Sequence, residues 1–509
     1  MEKTISDQSD TQVENIVVWL DFDTYAYTTF AIISALSKLG KFNFIGIVTT
    51  QQDISFFQNQ QIIPFKKLIY YPECYIGKTC FDLDKLKELE KKYDLNIWLD
   101  VYAERSFYKY WTDFHKFTKD EILSILENSV SFFVDILETF KPKLVLMQQA
   151  GENISNLLLY RIARKMGITT LMPNILHMKN KILVSDNLLS SEISDEFKKI
   201  ISNFNNSTQI YNKEFIQKYD HTESLKAILS YNYEISTFSK KINHYIKKFS
   251  HTPEPIYKNI GKTRLKMLKH RYESCFVIKK RKQFLDDNSI KSIKDEKFLY
   301  FPLASEPEAR ILTTSPFYTN QITLAENIAR SIPIDLVLYV KEHPVQKIKL
   351  WRPVEDYKTI IDLPNVKLVH PSVNNQELIS KSQGVISISG SVGFEALFHK
   401  KPVILFADEH YDVLSMVTKV KTLTSLPNDI KNALNNFNFS NKEINAFMEA
   451  FNKCSISVPY HSIMKDGNAL SSIQRYECDF NFTIQQFNKF YETYKTYFEL
   501  IAQTIYLKL

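Results

Sequence analysis

Glycine is scarce in this sequence, with 10 glycines among 509 residues, whereas aromatic residues make up 13%. This composition excludes collagen-like and low-complexity chains, and the 44% hydrophobic content is enough for two or three domains with their own cores. Because glycine is so rare, we expect it where backbone geometry requires it. Three glycines, Gly384, Gly390 and Gly393, fall within one ten-residue window.

The sequence also lacks the signals of metal binding, secretion and membrane insertion. Its five cysteines form no CxxC pair and have no histidine at zinc spacing, so we expect no structural metal and no disulfide framework. No apolar run approaches the roughly 18 residues of a membrane-spanning helix, and the polar N-terminus does not resemble a signal peptide. We therefore expect a cytoplasmic protein, either soluble or attached to the periphery of the membrane.

Positive charge is concentrated in residues 240–282, which contain 14 Lys and Arg but only two acids. This segment carries +12, so the rest of the chain carries −5 of the overall +7. No nucleic-acid-binding motif accompanies the charge, and we expect no nucleic-acid partner. Two interpretations remain, a solvated helical face and a contact with the anionic inner face of the membrane.

Strand and helix patterns alternate in two parts of the chain. NIVVWLDFDTY predicts a buried strand, TTFAIISALSKLG a helix and NFIGIVTT a second strand, and the pattern repeats from VSFFVDILETFKPKLVLMQQAGEN. Such alternation predicts an α/β fold whose parallel sheets are covered by helices. We expect a Rossmann-like domain at 1–195, a basic helical insertion or linker at 196–295, a second Rossmann-like domain at 296–425, and helices at 426–509 that pack back on the N-terminal domain.

The glycine-rich window, GVISISGSVGFEAL, predicts a strand followed by a tight turn and a helix. Gly390 and Gly393 would let backbone N–H groups approach an anion at the positive end of that helix. Ser389 and Ser391 add hydroxyl groups, and Glu395 lies one turn into the helix, where it could accept from a ribose hydroxyl. The structural alternative is an ordinary turn whose glycines serve packing.

A second polar element ends the predicted strand in DLVLYVKEHP. It places Lys341, Glu342 and His343 at the carboxyl end of the strand, where open α/β sheets bind ligands. A protonated histidine can donate to a leaving phosphate, and a lysine can offset its charge. Two such elements in one domain favour a nucleotide-phosphate site over a surface histidine in a loop.

KFLYFPLASEPEAR, LYVKEHP and SISGSVGFEALFHKKPVI together resemble the C-terminal half of bacterial capsular-polysaccharide glycosyltransferases of the Kdo-transferase-like group, which have the GT-B fold. The His-Pro and the serine pair are also similar to those of bacterial sialyltransferases that use CMP-sugars. The resemblance extends from Phe298 to about Phe406. Members of the family typically carry Gln where this chain has Glu306.

The resemblance implies two Rossmann-like domains facing a cleft, with the donor bound in the C-terminal domain. The implied donor is a CMP-activated 2-keto acid sugar: Kdo or a nonulosonic acid such as sialic, legionaminic or pseudaminic acid. It implies a glycan or lipid-linked glycan acceptor and no required cofactor or metal. The implied donor-site residues are Glu308, Arg310, Lys341, His343, Ser389, Gly390, Ser391, Gly393 and Glu395.

The acceptor base should come from the N-terminal domain, across the cleft. Asp21 and Asp23 follow the first predicted strand, and Glu152 follows a later one, so each could take a proton from a sugar hydroxyl. We take His343, Glu152 and Asp23 as the catalytic candidates. Asp23 and Glu152 could instead cap helices, and Glu104 and Arg105 could form an ion pair.

Other functions remain open at this point. A UDP-sugar transferase, a CDP-glycerol polymer transferase or a UDP-N-acetylglucosamine 2-epimerase-like enzyme would use similar His and Gly/Ser elements on the same fold. A non-catalytic scaffold would keep the nucleotide site and bind partners through the basic segment. The fold alone does not distinguish among these alternatives.

Overall fold

The computed structural model describes residues 13–22, 24–108, 114–176, 178, 180–204, 257, 260, 261, 263–477 and 482–509. Within these residues the chain forms two α/β domains, each built on its own sheet. This architecture confirms the predicted α/β class with two Rossmann-like domains.

The N-terminal sheet has seven strands in the order β13-β6-β5-β4-β1-β2-β3. Strands β1 to β5 run parallel, whereas β6 and β13 are antiparallel additions at one edge. Ile16 to Leu20 are buried on both faces, which explains why this strand is an unbroken apolar run. The strands are β1 Glu14–Leu20, β2 Phe42–Val48, β3 Phe65–Tyr70, β4 Leu144–Leu146, β5 Thr169–Ile175, β6 Lys181–Ser185 and β13 Ile456–Ser457.

Seven helices of the N-terminal half cover the two faces of this sheet. They are α1 Thr24–Leu36, α2 Gln51–Asn59, α3 Leu83–Tyr93, α4 Ile97–Ala103, α5 Arg105–Tyr108, α6 Lys119–Phe140 and α7 Ile154–Lys165. Capping boxes fix the starts of two of them, with Thr118 as the cap of α6 and Asn153 as the cap of α7.

The C-terminal sheet has six parallel strands in the order β12-β11-β10-β7-β8-β9. They are β7 Phe298–Pro302, β8 Val337–Lys341, β9 Val366–Val369, β10 Gly384–Ser387, β11 Val403–Leu405 and β12 Val417–Lys419. The chain runs outward from β7 to β9, returns to the other side of β7 at β10, and continues to β12. The strand order therefore reverses between β7 and β10, which creates a crevice at their carboxyl ends.

The remaining helices follow in chain order. They are α8 Glu192–Asn203, α9 Arg264–Asn288, α10 Ala309–Thr314, α11 Gln321–Ala329, α12 Val354–Ile361, α13 Asn375–Lys381, α14 Ser391–Phe398, α15 Leu426–Asn435, α16 Asn441–Cys454, α17 Tyr460–Glu477 and α18 Ile484–Tyr506. One face of the C-terminal sheet is covered by α8, α13, α14 and α16, and the other by α10, α11, α12 and α15.

The chain passes between the two domains several times, since Tyr257 lies in the N-terminal core between two segments that pack on the C-terminal domain. Ile193 and Phe197 of α8 are buried in the C-terminal core, so this helix follows the N-terminal sheet in sequence but packs on the other domain. We expected the helices of 426–509 to pack on the N-terminal domain. In the structure α15 and α16 pack on the C-terminal sheet, whereas Phe487 and Phe498 of α18 lie in the N-terminal core.

The basic segment is described only in part, because residues 240–256 lie outside the described residues. Its second half forms most of the long helix α9. Among the helices that the structure describes, none has the length and apolarity needed to cross a membrane.

Candidate active site

The site candidates gather where the carboxyl ends of the two sheets face each other. In the N-terminal sheet the strand order reverses between β1 and β4, and in the C-terminal sheet between β7 and β10. Asp21 follows β1, and Glu152 lies in the loop after β4. The loops after β7 and β10 carry Glu308 and Gly390. Both crevices are the places where open α/β sheets bind ligands.

A cleft of about 840 Å³, partly open to solvent, lies between the domains. The N-terminal domain contributes Tyr25, Gln149 and Gly151 to its wall, and the C-terminal domain contributes Arg310 and His410. Of these residues only Arg310 was among the sequence candidates. The cleft is therefore shared by both domains.

Gly390 has φ +105° and ψ −176°, a conformation that only glycine adopts easily. Its N–H donates to Glu409 Oε1 at 2.7 Å, and its carbonyl accepts from the Tyr411 hydroxyl at 2.7 Å. The expectation that the Gly390 N–H itself contacts an anion is therefore corrected, because a carboxylate already occupies that donor. Helix α14 starts at Ser391, and its first-turn N–H groups have no partner inside the helix.

Gly393 serves packing, the structural alternative for this glycine. A β-carbon at this position would lie 2.5 Å from the Tyr411 hydroxyl oxygen, so a larger residue would push the helix away from its neighbour. At Gly390, by contrast, a β-carbon would meet nothing within 4 Å. The turn therefore has open space at Gly390 and close packing at Gly393.

Glu395 is buried and does not lie open to a ribose hydroxyl. Its Oε2 accepts from Gln376 Nε2 at 2.6 Å, and Ser391 also donates to the carboxylate. Burial raises the pKa of Glu395 to about 7, against the lowering effect of these hydrogen bonds and of the nearby Lys341 charge. Ser389 contributes its carbonyl to the turn, accepting from the Ser387 hydroxyl at 2.7 Å.

Lys341 is likewise buried at the end of β8. Its Nζ donates to Asn375 Oδ1 at 3.1 Å, and the same oxygen accepts from the Tyr300 hydroxyl at 2.5 Å. Burial lowers the pKa of Lys341 to about 8, and the Glu395 charge opposes this shift. The charges of Lys341 and Glu395 interact inside the domain without a direct ion pair, and both side chains are buried.

His343 caps the short 3₁₀ turn Pro344–Lys349 that follows β8. Its Nδ1 accepts the N–H of Val345 at 3.2 Å, which places the proton of the neutral ring on Nε2. The N–H of His343 donates to Glu342 Oε1 at 2.6 Å. Hydrogen bonds therefore fix both the ring and the backbone of His343 at the end of β8.

Glu342 belongs to a buried network with Arg352. Its Oε2 accepts from Arg352 Nε at 2.9 Å and from the Tyr357 hydroxyl at 2.8 Å. Arg352 also pairs with Glu306 and donates to the Ala304 carbonyl at 2.6 Å. Glu306, where the resembled family typically has Gln, therefore ties the loop after β7 to the loop that carries His343.

Glu308 and Arg310 lie at the start of α10, facing charges from both domains. Burial raises the pKa of Glu308; the charges of Lys349 and Arg310 oppose the shift, and those of Glu409 and Glu152 add to it. Arg310 Nη2 donates to Glu409 Oε2 at 2.8 Å. Because Glu152 belongs to the N-terminal domain, this cluster spans the cleft.

Glu152 is held by Arg105, whose Nη2 lies 2.5 Å from its Oε1 and 2.7 Å from its carbonyl oxygen. Glu152 does not cap α7, because Asn153 is the cap. The suggested ion pair between Glu104 and Arg105 is wrong. The Glu104 carboxylate instead accepts the N–H groups of Ser106 and Ile154, each at 2.8 Å.

Asp21 is buried and accepts the N–H of Phe22 at 2.9 Å. Asp23 lies outside the described residues, so its predicted role stays a prediction.

The sequence patterns missed Glu409 and His410, which follow β11 in FADEHYD. The signal was present, since PVILF is a short apolar run that ends in acids and a histidine at the same sheet edge. In the parts of the chain that the structure describes, no group of three or more His, Cys, Asp or Glu side chains could hold a metal ion.

Two Rossmann-like domains with a shared cleft between their carboxyl edges define a protein of the GT-B type. Residues 192–437 match the family described as capsule polysaccharide biosynthesis protein. The match confirms the predicted resemblance to proteins of capsular-polysaccharide synthesis over these residues, which make up just under half of the chain.

A comparison with curated proteins finds no match. Among solved structures, the chain is similar to KpsC, a β-Kdo 2,7-transferase of Thermosulfurimonas dismutans, with 13% identity over 76% of this chain and 97% of that one, at a TM-score of 0.32. It is also similar to the UDP-GlcNAc 2-epimerase of Methanocaldococcus jannaschii, with 15% identity over 84% and 95% of the two chains, at a TM-score of 0.25. Scores this low carry no argument about function.

Proposed function

We propose that this protein is a glycosyltransferase that transfers a CMP-activated 2-keto acid sugar, Kdo or a nonulosonic acid, to a surface polysaccharide or glycoconjugate. The donor would bind in the C-terminal domain and the acceptor in the N-terminal domain. The observation that carries the proposal is the fixed His343 at the same sheet edge as the Gly390 turn, opposite Glu152.

The donor phosphate would lie at the N-terminus of α14. The first-turn N–H groups from Ser391 onward, the Ser391 hydroxyl and the positive end of the helix favour an anion there. His343 would donate from Nε2 to the phosphate as CMP leaves. CMP leaves with a single phosphate group. One helix N-terminus and one imidazole would be enough to stabilise its charge.

Glu152 would be the base for the acceptor. Its carboxylate would take the proton of a sugar hydroxyl while that oxygen bonds to the anomeric carbon and the bond to the phosphate oxygen breaks. Arg105 donates hydrogen bonds to both the carboxylate and the carbonyl oxygen of Glu152, and these bonds fix the position of the carboxylate. Asp23 and Asp21 remain the alternative bases at the end of β1.

Attachment to the anionic inner face of the membrane belongs to the same proposal, because a lipid-linked acceptor would be presented there. The described part of the basic segment also carries exposed apolar side chains. Leu265, Leu268, Tyr272 and Phe276 of α9 are 52–80% exposed, and their spacing puts them on one side of the helix. Apolar side chains among lysines are typical of helices that lie in a membrane interface.

Thermal-shift binding tests the nucleotide assignment. CMP, CDP, UDP, GDP and their sugar conjugates would be compared on the wild type, His343→Ala and His370→Ala. His370 is the matched control, because its Nδ1 caps the loop after β9 in the same way, accepting the Ser372 N–H at 3.2 Å.

Stabilisation by CMP that is lost only in His343→Ala is the expected result. A shift with UDP or CDP alone would replace the donor and favour a UDP-sugar or CDP-glycerol transferase or an epimerase-like enzyme. Nucleotide binding without turnover on any acceptor would favour a non-catalytic scaffold.

A further inference from the structure

Glu409 links two parts of the cleft that no sequence motif connects. Its side chain is fully buried, and its two oxygens have different partners. Oε1 accepts the Gly390 N–H at 2.7 Å, and Oε2 accepts Arg310 Nη2 at 2.8 Å. The glycine turn and the Arg310 guanidinium therefore lie at the two oxygens of one carboxylate.

The Arg310 guanidinium has more hydrogen-bond donors than its contact with Glu409 uses. Only its Nη2 donates to Glu409, and its Nε is buried without a hydrogen-bond partner. A buried donor without a partner is costly in the free protein, so the Arg310 guanidinium is not fully satisfied by Glu409 alone. The Arg310 side chain is 28% exposed and lines the cleft, which leaves its remaining edge accessible to a ligand.

The chemistry of a 2-keto acid sugar matches this arrangement. Its anomeric carbon carries both the phosphate oxygen and the carboxylate, so the two anionic groups are separated by only a few bonds. A site for such a donor needs a second anion-binding group directly beside the phosphate turn. Arginine is suited to this task, since its planar fork binds carboxylates with two parallel hydrogen bonds.

We propose that Arg310 recognises the carboxylate of the donor sugar, and that Glu409 is a positioning residue that holds Arg310 at a fixed place relative to the Gly390 turn. This inference rests on the proposed function and adds to it the residue that distinguishes acidic from neutral donor sugars. Neutral sugars on the same nucleotide would leave the Arg310 donors unsatisfied.

The surrounding charges allow an anion to enter. Arg105, Lys349 and Arg310 face three carboxylates, Glu152, Glu308 and Glu409. With every group charged, the cluster is neutral. Burial raises the pKa of Glu308, which favours a net positive cluster, whereas burial lowers the pKa of Lys349 to about 8, which opposes it.

The test measures the affinity of purified full-length protein for CMP and for CMP-sialic acid, which carries the same anomeric carboxylate. The variants are Arg310→Lys, Arg310→Ala and Glu409→Gln. Arg164→Lys, at an exposed Arg–Asp pair away from the cleft, is the matched control. Melting temperatures would confirm that each variant is folded.

Wild type should bind CMP-sialic acid more tightly than CMP. Arg310→Lys and Arg310→Ala should reduce affinity for CMP-sialic acid by about tenfold or more, because the fork is lost, and change affinity for CMP less than about threefold. Glu409→Gln should have the same selective effect, because it removes the charge that pairs with Arg310 and leaves one amide oxygen for two donors, Arg310 Nη2 and the Gly390 N–H. Arg164→Lys should change neither the affinity for CMP nor the affinity for CMP-sialic acid.

If the wild type binds CMP, two results would overturn this inference and leave the proposed function standing. One is an equal loss of affinity for CMP and CMP-sialic acid in the Arg310 variants, and the other is no loss of affinity for either compound. Binding of neither compound to the wild type would overturn the proposed function and this inference with it. The two failures are therefore distinguishable.

Discussion

Gly151 of the N-terminal domain lies against Thr313 of the C-terminal domain, so that a β-carbon on Gly151 would be 3.1 Å from Thr313 Cγ2. Gly151 also has φ +84°, which a larger residue adopts only with strain. The two domains can approach this closely because the loop after β4 has no side chain at this point. The contact lies in the wall of the cleft.

We expect Gly151→Ala to hold the domains apart at this contact and to lower kcat/KM by about tenfold, since small misplacements of reacting groups are costly. Steady-state kinetics with donor and acceptor would measure the effect. Thr313→Ala in the same chain removes Cγ2 and should restore part of the activity. Gly167→Ala has similar strain at φ +74° but open space around it. It should lower the free energy of unfolding and leave kcat/KM unchanged. Equal activity losses in Gly151→Ala and Gly167→Ala would contradict this account.

The conformation of Gly390 gives a second prediction. At φ +105° and ψ −176° an alanine is strained by about 1–3 kcal/mol, although no neighbour blocks its β-carbon. Gly390→Ala should therefore lower the free energy of unfolding and also weaken nucleotide binding, because the start of α14 shifts. Gly77→Ala, at φ +72° and away from the cleft, should reduce stability without affecting binding. Urea denaturation and nucleotide titration measure the two effects separately, and unchanged binding in Gly390→Ala would exclude the turn from the donor site.

The buried strands and the main turn could be predicted from the sequence because their causes are local. Parallel strands covered on both faces must be apolar throughout, as in the runs that became β1 and β8. Gly390 stood out because glycine is rare and the turn needs φ near +105°. Both elements depend on residues that are close together in the chain.

The partners of these residues could not be predicted, because they come from distant segments. Glu409 reaches the Gly390 N–H from a loop 19 residues away, and Arg105 reaches Glu152 across 47 residues. The direction of the Lys341 side chain depends on Asn375 of α13, which buries it beside Glu395. A strand-end lysine in a sequence gives no indication of such burial.

Arg352 is expected to be the most sensitive structural residue near His343. Its side chain and that of Glu342 are both fully buried, so Arg352→Ala would leave the Glu342 carboxylate without its counter-charge. Such a change typically costs about 3–5 kcal/mol. Glu306→Gln introduces the residue typical of the resembled family and keeps an oxygen for Arg352, so it should cost only about 1 kcal/mol or less. Urea denaturation at neutral pH tests both, and similar losses for the two variants would argue against the central role of the Arg352–Glu342 pair.

The contributions of Asp53 and Glu395 to stability should fall as pH rises from about 4 to about 7. Burial raises the pKa of Asp53 to about 7, against hydrogen bonds from Thr50 and Tyr27, and burial also raises the pKa of Glu395 to about 7. Unfolded carboxyls titrate near 4, so between these values the folded chain binds more protons, and stability present below pH 4 is lost towards pH 7. Asp53→Asn and Glu395→Gln should each make this decline shallower. Urea denaturation at half-unit pH steps measures it, and a decline that stays parallel to that of the wild type would refute the assignment for that residue.

The exposed side of α9 gives the last prediction. Leu268→Ser with Phe276→Ser should weaken binding to vesicles that contain anionic lipid, because apolar contact and lysine attraction act together at the interface. Ile334→Ser is the matched control, since Ile334 is also an exposed apolar residue but lies between α11 and β8, outside the basic segment. Co-sedimentation with phosphatidylglycerol-containing and with pure phosphatidylcholine vesicles separates the two contributions. The wild type should bind the anionic vesicles more strongly than the neutral ones. The double variant should lose about tenfold or more of that binding, because it lacks two apolar side chains that would leave water at the interface. The control should behave as the wild type. Equal binding of all three proteins would mean that α9 is only a solvated basic face, and the membrane part of the proposed function would then be withdrawn while the nucleotide site is unaffected.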